Sequence, residues 1–200
     1  MPDHSAARST IVAVLTDVAI NRIRINLRGV TITPTMIREI RDLTRAGQID
    51  VEHVPGQSTP AIYNSNENKF YLNFSRTGRM SQRALIIHEA IHAACDRANF
   101  DHMLINTSEA AAYIGQCVYM IVKENAGQGE RLGHEDPTRD RVFELAWGCA
   151  RTIASGGQPS HSDIEQLRSA ILQHPYYSQN GTQNAGYNGI SWSLSRACGL

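Results

Sequence analysis

With 200 residues, 42% of them hydrophobic and 19% charged, the chain has the size and composition of one ordinary folded domain that buries a core without staples. Basic and acidic residues number 19 each, so no net field draws nucleic acid or an anionic membrane, and neither is expected as a partner. The apolar runs are too short to span a bilayer. Residues 1–8 lack the basic start of a secretory signal and Asp17 breaks the run that follows, which leaves a cytoplasmic protein or one exported by a dedicated secretion system.

Residues 5–21 read as an amphipathic helix with Ile11, Val14, Leu15 and Val18 marking its faces. Residues 22–32 alternate only in part, through Ile23, Ile25 and Leu27, and read either as a strand or as a frayed helix end. Thr33-Pro34 is a helix start, a capping oxygen followed by a residue whose missing N–H is no loss there. Met36, Ile37, Ile40 and Leu43 supply the buried stripe of that helix, which stops near Gly47. Residues 49–54 alternate as a strand and end at Pro55-Gly56. Residues 61–63 and 69–74 read as two more strands joined by the polar turn from Asn64 to Asn68.

From Ser81 the chain is helical, in segments 81–99, 108–124, 137–155 and 162–174. Asp136-Pro137 and Ser162 with Glu165 mark starts; Gly156-Gly157 and Pro175 mark stops. The last 25 residues, rich in Asn, Gly, Ser and Tyr, show no period. The expected fold is α+β in one domain over 1–200: a small antiparallel or mixed sheet with helices to about residue 99, a helical part over about 100–175, and an irregular tail over 176–200. The cleft is expected between the two halves. Cys95, Cys117, Cys149 and Cys198 stand far apart without CxxC spacing, which suits reduced core thiols better than a cysteine zinc site or a disulfide.

The informative stretch runs from Ala84 to Cys95, where His88, Glu89 and His92 stand in an otherwise apolar helix. A helix apolar all round is buried, and burying a carboxylate and two imidazoles costs several kcal/mol unless each is partnered. A dication satisfies all three. His88 and His92 are one turn apart and project from one face, roughly 6 Å apart at the backbone, a span a tetrahedral Zn²⁺ bridges. Glu89, rotated about 100° from His88, reaches a water on the ion rather than the ion, as a general base must.

His88-Glu89-Ala90-Ile91-His92 is an HExxH motif and resembles that of the zincin metallopeptidases. A metzincin would carry glycine and histidine where Cys95 and Ala98 stand, which excludes that branch. The resemblance is instead to gluzincins, thermolysin-like, whose third ligand is a glutamate on the following helix; Glu109 in Glu109-Ala110-Ala111-Ala112-Tyr113 matches it. Glu109 also lies three residues after Asn106, where a capping-box glutamate sits, so ligand and cap stand as alternatives. Glu135, Asp136 and Glu144 are fallback ligands. Ser108 and Tyr113 stand where thermolysin-like sites carry an asparagine and a bracing aspartate, so Asp96, one turn after His92, is a substitute brace for a ligating histidine. The pairing of helices, over about residues 69–120, is similar to small metallopeptidase modules of bacterial effectors and toxins.

The resemblance implies a zincin-like fold and a zinc-dependent hydrolase, most simply a peptidase with a peptide or protein substrate. The alternatives are an amidase of cell-wall peptide and a catalytically silent zinc-binding module. Zinc would be held by His88, His92 and Glu109, and Glu89 would take a proton from water. A second donor to the oxyanion is expected. His102, in the loop after the motif helix, is the first choice, ahead of His134, His161, His174, Tyr113, Tyr176, Tyr177 and Tyr187. Residues 69–74 read either as the edge strand that takes up an extended substrate or as part of a plain hairpin.

Overall fold

A computed structural model describes residues 2–27, 29–125 and 137–190. Among these the architecture is α+β, with six helices, a two-stranded sheet and a mixed three-stranded sheet. Helix α1 (His4–Val14) starts where Asp3 accepts the Ala6 amide. It stops well short of residue 21 because Asp17 accepts the Ala19 amide and opens a separate 3-10 turn, Val18–Arg22. The residues after that turn form a hairpin of β1 (Ile25–Leu27) and β2 (Val30–Ile32), reversed with Gly29 at φ +83, where a side chain would be strained. Helix α2 (Pro34–Arg45) follows the Thr33 cap and buries Ile37, Ile40 and Leu43.

Strands β3 (Asp50–His53), β4 (Ala61–Asn64) and β5 (Lys69–Leu72) make the second sheet in the order β3-β5-β4. The β4–β5 hairpin is antiparallel, and β3 lies parallel to β5 along its other side. Of the two readings of residues 69–74, the hairpin is the one found: β5 is the centre strand, and the edges are β3 and β4. Hairpin patterning reveals the local pairing, but not that an earlier strand covers the remaining side.

Helix α3 (Met80–Arg97) is enclosed, with Ala84, Ile86, Ile87, Ala90, Ile91, Ala93 and Ala94 all buried. Helix α4 (Ile105–Asn125) lies against it. Gly115 lets the two approach: a Cβ there would lie 2.0 Å from Ile91 Cδ1. Ala110, Ala111 and Ala112, each 0% exposed, keep the same face slim. Helices α5 (Pro137–Ala154) and α6 (His161–Gln173) complete the helical side, α6 starting from a Ser160–Asp163 capping box two residues before the one expected.

Residues 174–190, beyond α6, form a strap across the start of α4. Its Gln183 and Gly181 carbonyls accept the Ile105 and Asn106 amides, both at 2.9 Å, and Ala185 N–H reaches the Met103 carbonyl at 2.8 Å. First-turn amides have no partner within their own helix; here the strap supplies two. This is why α4 begins three residues before the expected position. The Asn106 side chain does not cap it but accepts from Arg168 Nη2 at 3.1 Å. Cys95, Cys117 and Cys149 are buried free thiols, and Cys198 lies outside the described residues. Among the described residues no helix is long and apolar enough to cross a membrane.

Candidate metal centre

The motif helix and its neighbour meet at three side chains. His88 Nε2 lies 3.3 Å from Glu109 Oε2 and His92 Nε2 lies 3.5 Å from Glu109 Oε1. All three donor groups lie within 4.8 Å of one another. Tetrahedral zinc with bonds of about 2.0–2.1 Å separates its ligand atoms by about 3.3 Å, close to the two distances from the imidazoles to the Glu109 carboxylate. The group could hold a divalent ion. Glu109 is thus drawn to the histidines rather than to a capping role at Asn106.

The far nitrogens of both rings are committed elsewhere, which fixes their orientation. His88 Nδ1 is 3.1 Å from Gln116 Oε1, an acceptor, so Nδ1 carries a proton and Nε2 is the nitrogen that faces Glu109. His92 Nδ1 meets two hydroxyls, Ser108 Oγ at 2.8 Å and Tyr187 OH at 2.9 Å. These two also bond each other. Glu109, Tyr113 and Gln116 recur at i, i+4 and i+7, one stripe of α4, so Gln116 was within reach of helical periodicity. Tyr113 packs its edge on His88, ring centroids 4.8 Å apart. No spacing rule leads to Tyr187.

Glu89 lies one residue round the helix and is buried. Its Oε2 accepts the main-chain N–H of Tyr63, on β4, at 2.8 Å. Burial pushes its carboxyl up to about 7, against the pull of His88 and the Tyr63 amide. Glu109 moves the other way: although burial disfavours its charge, His92, His88 and the Tyr177 hydroxyl hold it down to about 2. Burial, with His88 adding, lowers His92 to about 4, whereas Glu109 and Glu89 outweigh burial and raise His88.

These groups sit in a cleft of about 520 Å³ between β4 and the helical side, with Leu85, Phe143 and Tyr177 among its walls. Among the described residues, the lining carries no Asp, Lys or Arg. Tyr177 donates to Glu109 Oε2 at 3.0 Å, and burial together with Glu109 raises its hydroxyl far above the usual range, so it stays a donor.

Two expected roles move. His102 is 94% exposed beside Asp101 and is not part of the cleft lining; its loop turns outward, so it does not meet the ligands. Asp96 does not brace His92. Its carboxylate is fully buried and accepts from Tyr63 OH at 2.7 Å and from the Asn188 and Gly189 amides at 3.0 Å each. Three donors, one from β4 and two from the strap, outbid one imidazole. Among the other candidates, His174, Tyr113, Tyr176 and Tyr187 line the cleft with Tyr177, and His161 is exposed on α6. Glu144 is exposed beside Arg141. His134, Glu135 and Asp136 lie outside the described residues.

No protein family, no curated protein and no solved structure matches this chain.

Proposed function

We propose that this chain is a zinc-dependent hydrolase cleaving peptide bonds, a zincin-like metallopeptidase with His88, His92 and Glu109 as ligands and Glu89 as base. The observation that carries the reading is the convergence of two imidazole Nε2 atoms and one carboxylate at tetrahedral-edge distances, beside a second buried carboxylate. Two neutral nitrogens and one oxygen form a donor set that suits zinc and leaves a fourth position open. A purely structural site has no use for the second carboxylate.

The chemistry supplied by a bound zinc ion is Lewis acidity, which acidifies water and polarises a carbonyl. The rest falls to the chain. Glu89, held by the Tyr63 amide, takes a proton from the attacking water as its oxygen bonds to the substrate carbonyl carbon. It returns that proton to the amide nitrogen as the C–N bond breaks. Tyr177, whose hydroxyl proton goes to Glu109 Oε2, would turn it to the oxygen that becomes negative once that carboxylate is committed to zinc, the part expected of His102. Edge strand β4 lines the cleft and offers main-chain groups to an extended substrate.

The test is metal analysis of the purified protein together with hydrolysis of an unfolded protein and of peptidoglycan, each with and without chelator. Zinc at one per chain, and protein cleavage lost in Glu89→Ala, is the expected result. Cleavage of peptidoglycan alone would move the substrate to cell-wall peptide, and absence of zinc would overturn the reading.

A further inference from the structure

We infer that Tyr187, carried on the strap and seated by Asp96, is a positioning residue for the metal ligand His92; the inference rests on the proposed metal site. A ligating imidazole must keep its proton on the outer nitrogen and its lone pair on the ion, and the group that accepts that proton sets both ring angle and tautomer. For His88 the acceptor, Gln116, comes from the same helix as Glu109. For His92 it is a pair of hydroxyls from opposite walls, Ser108 on α4 and Tyr187 on the strap, 79 residues apart in sequence. Tyr187 is 7% exposed, so its hydroxyl meets His92 and Ser108 out of reach of bulk solvent.

What places Tyr187 is the next two residues. The Asn188 and Gly189 amides both donate to Asp96 Oδ1, on the motif helix one turn beyond His92. Gly189 has φ +82, a conformation that lets consecutive amides turn toward one carboxylate oxygen. The other oxygen, Oδ2, accepts from Tyr63 OH, and the Tyr63 amide holds Glu89. One buried carboxylate therefore seats both the residue that orients His92 and the strand that holds the base.

The experiment is a zinc titration of the full chain against a chromophoric chelator, repeated for Tyr187→Phe, Asp96→Asn and the double variant, with the absorption spectrum of each Co²⁺-loaded protein. Tyr187→Phe keeps the ring and its packing, so the metal-free melting temperature should stay close to the parent's. Zinc affinity should fall about tenfold or more, the usual cost of losing such a partner, and the Co²⁺ bands should shift. Asp96→Asn should weaken zinc in the same direction, and its effect should shrink in the Tyr187→Phe background, since both act through one ring. Unchanged affinity and spectrum in Tyr187→Phe, or full additivity in the double variant, overturns the inference while leaving the metal site standing. A parent that binds no zinc overturns both.

Discussion

The two histidines of the cleft are one helical turn apart, yet they are supported from different depths of the sequence. His88 is oriented by Gln116, seven residues beyond Glu109 on the same stripe of α4, so Glu109 and the brace arrive together on one element. His92 is oriented in part by Tyr187, on a segment without helix or strand that reaches the site only because α4 and Asp96 hold it there. A helix pair can present ligands by spacing alone. Fixing the rings takes groups that only the folded chain brings close.

That comparison can be broken most directly at the ligands. His88→Ala should abolish zinc binding, whereas Glu89→Gln should keep one zinc per chain and lower turnover by about 10²–10⁴. Metal analysis beside an activity assay separates the two, and equal zinc content in His88→Ala and parent would remove His88 from the site. The next effect sharpens the comparison between braces. Gln116→Leu should weaken zinc by about 10–100-fold, as Tyr187→Phe does, while His102→Ala, on the exposed loop, should leave chelator titrations unchanged.

A smaller effect concerns the helix contact that brings Glu109 to α3. Gly115→Ala forces a methyl onto Ile91 Cδ1 and should cost about 1–3 kcal/mol in denaturant melts, with a parallel loss of zinc affinity as α4 backs away. An unchanged melt would mean that Ile91 has room to turn aside. The smallest lies outside the site. Burial opposes the charge of Asp17, but the Ala19 amide, Lys123 and Tyr119 outweigh it and hold the carboxyl below 3.8. A depressed folded-state value contributes stability above the unfolded-state value, and that stability disappears as pH falls through it. Asp17→Asn should therefore cost about 1 kcal/mol at pH 7, and the gap between variant and parent should close below about pH 4.

Much of the helical framework was legible because its signals are local. Thr33-Pro34 opens α2 as capping chemistry requires, and the apolar surround of His88 and His92 marked α3 as enclosed. Errors fell where a local signal competed with a distant partner. Residues 5–21 have one helical pattern, but the Asp17 carboxylate captures the Ala19 amide and divides it. Lys69–Leu72 reads either as an edge strand or as a hairpin strand; the hairpin holds, and its central place follows from β3, which nothing in its own residues announces. Asp96 stands at the right spacing to brace His92, yet spacing says nothing about the Tyr63 hydroxyl and two strap amides that claim it.

The sequence alone determined the α+β class, most helix positions and a helix with two imidazoles one turn apart and a carboxylate beside them, because periodicity and capping act over a few residues. Tertiary structure decided that Glu109 meets His88 and His92, that β4 rather than β5 lies at an edge, and that Gln116, Ser108 and Tyr187 orient the rings. A hydrogen bond across 95 residues, such as His92 to Tyr187, depends on how whole elements pack, and no short-range pattern encodes that.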